Sequence, residues 1–125
     1  MLDEQHRAVE ALVRRFAQER IRPLAGELDA SERFPAELYR EMAGLGLSGL
    51  TVPAELGRAG LDNLGYAIVM EELARGYASV ADQVGLIELV ATLLVERGSP
   101  AQRARFLGPL LAAELRPAYA ITEAE

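Results

Sequence analysis

"SVADQVGLIELVATLLVER", residues 79–97, is the stretch on which the fold turns. It is apolar almost all round, which predicts a helix from about Ser79 to Arg97, central and the most buried of the set. Its most apolar part, Val84 to Val95, is too short to span a bilayer and carries Glu88 inside it. One stripe breaks the pattern. Ala81, Gly85, Glu88 and Thr92 lie at i, i+4, i+7 and i+11, so small or polar residues share one side of a bulky helix. Such a stripe either lets another backbone approach closely or leaves room for a ligand, and the residues leave both open. A carboxylate there is costly unless paired, hydrated or protonated. An arginine from another segment, a water or a polar group of a ligand could pair with Glu88; a rotated helix would put it at the solvent edge instead.

The neighbours on either side also read as helices. Downstream, Ser99, Pro100 and Gln102 form a capping box, opening a helix that carries Phe106, Leu107, Leu110 and Leu111 inward, with Pro109 disturbing its middle. Upstream, a helix is expected from Asp62 to Gly76. Tyr66, Met70, Leu73 and Tyr77 form its seam, Glu71 pairs with Arg75, and Glu71 and Glu72 mark a solvated face. A short helix from Pro35 to Gly44 precedes the glycine-rich connector 44–61. The first helix starts at the N-cap Asp3 and runs to about Ala30, with Val9, Leu12, Val13, Phe16, Leu24 and Leu28 as its stripe and a kink or break at Pro23. After Pro117 the helical period is lost, and "YAIT" alternates as a strand does. The fold class is therefore all-α, an orthogonal bundle of about five helices with the start of a β-strand at its C-terminal end.

Composition narrows the function. With 125 residues, half of them apolar, the chain is one ordered domain rather than a disordered segment. A net charge of -6 argues against a nucleic-acid partner, which needs a basic surface. There is no cysteine, hence no disulfide and no thiolate metal site; with no signal peptide and no membrane span in view, a cytoplasmic protein is expected. Gly44, Gly46 and Gly49 in "GLGLSG" match the spacing of a dinucleotide loop. However, that loop needs a strand before it and a helix after it, and here the order is inverted, so the glycines read as a helix end and tight turns. His6, the sole histidine, is expected to be exposed on the first helix, without the partners of a metal site or triad.

The ordered set of segments says more. "RFPAELYREMAGLGLSGLTVPAELGRAGLDNLGYAIVMEELAR", residues 33–75, closely resembles the N-terminal helical domain of the acyl-CoA dehydrogenase family, and "GSPAQRARFLGPLLAAE", residues 98–114, resembles the same family's helix before its middle domain. "YAITE", residues 119–123, is similar to the segment that opens the family's middle β-domain, although Ala124 stands where proline is usual and Glu125 precedes any Gly-Ser-Asp loop.

The resemblance implies a domain at 1–116 and, at 117–125, the first strand of a β-domain outside this chain. It implies FAD and an acyl-CoA substrate oxidised to the 2-enoyl-CoA, an electron-transfer flavoprotein as acceptor, and a homo-oligomer when complete. It places Tyr119, Ile121 and Thr122 against the flavin, and Gly85, Glu88 and Thr92 on the wall of the acyl pocket. The family's catalytic glutamate usually lies in the C-terminal domain, so no residue here takes that role. An oxidase or monooxygenase on the same scaffold, or a non-catalytic helical module derived from it, are the alternatives.

Overall fold

A computed structural model of the protein describes residues 2–123. Helix α1 (Glu4–Phe16) packs on α4 (Asn63–Gly76), α4 on α5 (Ala78–Arg97), and α5 on α6 (Pro100–Leu111). Two short helices, α2 (Ala25–Ser31) and α3 (Ala36–Gly44), precede the connector to α4. Val13, Ile21, Leu38, Met42, Leu73 and Val84 anchor one continuous core. Among the described residues there is no strand.

The expected break at Pro23 divides the first helix into α1 and α2. The α-turns give way to a π-turn over Ala17–Ile21 and a 3-10 turn over Arg22–Leu24. Proline has no N–H to give to the preceding turn and its ring crowds that turn's carbonyl, so the ladder loosens and then tightens around it. Gly76, the last residue of α4, sits against this turn. A Cβ there would lie 3.1 Å from Ile21 Cβ and 3.2 Å from Ala17 Cβ. The caps expected at Asp3 and Ser99 form, and Asp62 caps α4 as well: each accepts a backbone N–H of the helix it opens. At the end of α3, Gly46 takes φ +78° and the Leu47 N–H reaches the Met42 carbonyl, the glycine-closed helix end that "GLGLSG" implied.

Several expectations are corrected. Helix α5, apolar almost all round as expected, is covered on one side only: Val80, Val84, Ile87 and Ala91 are inside, while Leu89 and Leu93 are exposed. With 20 residues, α5 is also long and apolar enough to cross a membrane by length and composition, more than the span 84–95 suggested. Its packing on α4 and α6 accounts for the apolar face that is covered. Helix α6 buries Leu107, Leu110 and Leu111 but leaves Phe106 exposed, and it runs through Pro109 to Leu111 without a break. Finally, residues 117–123 carry no strand. A lone extended segment has no neighbour for its N–H and C=O groups, and a ladder needs two sides. The rest of the expected strand, residues 124–125, lies outside the described residues.

Candidate functional site: the faces of α5 and the outgoing segment

Glu88 has partners that the sequence did not suggest. It is 5 % exposed. One carboxylate oxygen accepts from the Leu50 N–H at 2.6 Å, and the other from the Thr51 N–H at 2.8 Å and the Thr51 hydroxyl at 2.6 Å. Among the described residues no arginine pairs with it. Two successive backbone amides converge on the carboxylate as they would on a bound anion. The connector reaches this position because Gly49 takes φ +70° and passes close to α6, where a Cβ would lie 2.5 Å from Leu111 Cδ2. Glu88 therefore fastens the connector to α5.

The rest of the small-residue stripe turns toward α4. Ala81 is buried, and a Cβ on Gly85 would lie 3.2 Å from Met70 Cε and 3.4 Å from the Tyr66 hydroxyl. Burial raises the Tyr66 pKa, and the nearby Glu88 charge adds to it. Thr92, one turn beyond Glu88, is half-buried. The face left open carries Leu86, Leu89 and Leu93, at i, i+3 and i+7; Leu93 is 46 % exposed. Beside it, a cleft of about 330 Å³ runs between α5 and α6, lined by Val90, Leu94, Phe106, Leu110, Leu115 and Pro117. These leucines have ordinary helical spacing, and nothing in the sequence distinguishes a face toward the core from one left open.

The chain leaves α6 by a sharp corner. Ala113 has φ +58°, and the Glu114 and Leu115 N–H groups both donate to the Pro109 carbonyl. Arg116 then lies on the Phe34 ring, 4.7 Å from its centroid, and Phe34 stacks on Tyr39 at 4.8 Å and 13°. Beyond this stack Tyr119, Ile121 and Thr122 are exposed, and residues 117–123 make no hydrogen bond among the described residues.

Residues 3–114 match the family model for the acyl-CoA dehydrogenase N-terminal domain. The chain belongs to the acyl-CoA dehydrogenase family. Clostridium sporogenes 3-(aryl)acrylate reductase is 35% identical over 96% of this chain and 32% of its own length. The short-chain-specific acyl-CoA dehydrogenase of Clostridium acetobutylicum is 36% identical over 98% of this chain and 32% of its own. A glutaryl-CoA dehydrogenase from Mycobacterium smegmatis, in complex with FADH2, superposes with a TM-score of 0.84 at 28% identity, over 90% of this chain and 29% of that one. The chain thus spans about a third of the length of the curated relatives it matches.

Two charged groups of this acyl-CoA dehydrogenase domain lie where the sequence did not put them. His6 is not exposed: at 8 % exposure it sits between Asp3 and Asp62, with Nδ1 2.9 Å from Asp3 Oδ1 and Nε2 2.9 Å from Asp62 Oδ1. The Asp62 hydrogen bond raises its pKa against the opposing effect of burial, and His6 in turn lowers that of Asp62. Glu72 is not on the solvated face. It is 4 % exposed and accepts from Arg14 Nε at 3.1 Å and Nη2 at 2.9 Å, and from Arg75 at 3.1 Å. The Arg14 bonds hold its carboxyl below the usual range. Glu71, by contrast, pairs with Arg75 as the spacing predicted. Adjacent helix positions diverge by a third of a turn, so one carboxylate of the pair meets α1 and the other meets water.

Proposed function

We propose that this chain is the N-terminal part of an FAD-dependent acyl-CoA dehydrogenase, where it supplies a wall of the acyl pocket and contacts to the flavin. The observation carrying this reading is the family match across residues 3–114, together with an overlay on a flavin-bound relative. The substrate is an acyl-CoA, oxidised to the 2-enoyl-CoA. An electron-transfer flavoprotein serves as acceptor, and the complete enzyme is a cytoplasmic homo-oligomer.

The outgoing segment suits a flavin. Its backbone N–H and C=O groups are unengaged among the described residues, the Thr122 hydroxyl is exposed, and Tyr119 and Ile121 present large exposed side chains. Tyr119, Ile121 and Thr122 would be the residues that hold the flavin. When bound, FAD supplies the two-electron acceptor for the substrate hydride. The residues of α5 bind and exclude water. Gly85 keeps its side of the helix thin beside Tyr66 and Met70, and Thr92 offers a hydroxyl about two turns on. Glu88 shapes the wall through its hold on Leu50 and Thr51.

A second reading is favoured by the relative named a 3-(aryl)acrylate reductase, whose name describes saturating a carbon–carbon double bond. One experiment separates the two. The complete protein, purified with its flavin, is assayed with short acyl-CoAs and an electron-accepting dye, then with arylacrylates and a low-potential reductant. Oxidation of acyl-CoA supports the dehydrogenase; activity in the second assay alone supports the reductase. Absence of stoichiometric flavin from the complete protein would overturn both.

A further inference from the structure

We propose that Arg116 is a positioning residue: with its guanidinium carbon over the Phe34 ring, it clips the outgoing segment to the helical domain and fixes where residues 119–122 present their groups. The consequence for flavin rests on the function proposed above; the clip itself does not.

Five observations build it. The left-handed Ala113 and the paired N–H bonds to the Pro109 carbonyl turn the chain back over α5. Arg116 then covers the Phe34 ring at 4.7 Å, and Phe34 stacks on Tyr39, a buried residue of α3. A cleft of about 120 Å³ separates the segment from the domain, with Gln83 and Ile87 on its floor, so contact is made at its edges rather than along its length. Pro117 follows directly and biases Arg116 toward an extended backbone, which stiffens the exit. No hydrogen bond anchors residues 117–123 among the described residues, so the Arg116 stack and the half-buried Pro117 are the last holds before Tyr119. A planar guanidinium suits this role, because it can lie parallel to a ring and still remain hydrated at its edge.

The test uses two readouts. In the 125-residue chain, backbone 15N relaxation of residues 117–123 is compared between wild type, Arg116→Ala and Phe34→Leu. Both variants are expected to loosen the segment while leaving α5 and the melting temperature unchanged, since Arg116 and Phe34 are exposed. In the complete flavoprotein, Arg116→Ala is expected to weaken FAD binding about 2–5-fold, the range of an exposed cation–π contact. It should also alter the visible band shape of bound flavin, a change that a general loss of stability would not produce. Unaltered relaxation in both variants overturns the clip. Unaltered FAD affinity in Arg116→Ala, in a protein where Tyr119→Ala does weaken FAD, overturns the positioning role. If instead Tyr119→Ala and Thr122→Ala leave FAD affinity unchanged while Arg116→Ala still loosens the segment, the flavin reading fails and the clip stands.

Discussion

Glu88 shows how much a single residue can conceal. Its stripe was visible as a 3.6-residue spacing, but its partners are backbone amides 37 and 38 positions away, and amides carry no sequence signature. Glu88→Ala would leave the buried Leu50 N–H and its Thr51 neighbour without an acceptor, at a cost of about 2–4 kcal/mol. Glu88→Gln keeps one good acceptor but turns an amide NH2 toward the other donor, so it should lose about half as much. Urea unfolding of the three chains checks the order, and an Ala variant as stable as wild type would contradict the anchor. His6 was misplaced for a related reason: Asp62 lies 56 residues from it, and only the fold brings the two helix starts together. The pair carries a pH signature. His6, with a raised pKa, stabilises most below its ordinary value of about 6.5, and this contribution fades as pH climbs through the folded pKa. Asp62, with a lowered pKa, contributes above about 3.9 and loses its share as pH falls through the folded value. Asp62→Asn keeps a competent N-cap for α4 but removes the charge. The melting-temperature gap between it and wild type should be widest between about pH 4 and 6.5 and narrow above that window. A gap constant from pH 5 to 9 would sever the link.

Elements were more legible than residues, because they depend on local signals. Asp3, Asp62 and Ser99 announced three helix starts, Gly46 a helix end, and Pro23 a break, since caps and proline act within one turn. The rotational setting of α5 was not legible. With leucine, valine or isoleucine at almost every phase, its periodicity cannot say which side a neighbour covers. Phe106 failed likewise, being one apolar residue among several on α6. The contact between α4 and the π-turn gives an element-level prediction. Gly76→Ala gains helix propensity at an exposed site, yet here its methyl would press on the Cβ atoms of Ile21 and Ala17, which cannot rotate away. A net loss of about 1–3 kcal/mol in thermal or urea unfolding is expected. Relief should follow from the double variant Gly76→Ala with Ala17→Gly, whose coupling a double-mutant cycle would measure.

At the scale of the whole molecule, the helices close one core but leave apolar ground uncovered. Leu89 and Leu93 on α5, Phe106 on α6 and Leu115 after it are all exposed, and the last two flank the apolar cleft between those helices. A surface of this kind marks a place where other protein or ligand belongs. The 125-residue chain should bind a hydrophobic dye or self-associate, and Leu89→Glu combined with Leu93→Glu should suppress both without lowering the melting temperature. A strictly monomeric wild type without dye enhancement would show that the face is not adhesive. The Arg14–Glu72 pair has a consequence of another kind, in time rather than in space. It joins residues 58 positions apart, across the packing of α1 on α4. During synthesis the first helix therefore emerges with its apolar stripe unmatched and must wait until the whole of α4 has followed before it can dock. Made before its main partner, α1 is among the last elements to settle, so a ribosome stalled before Gly76 would display it without the completed α4 to dock on.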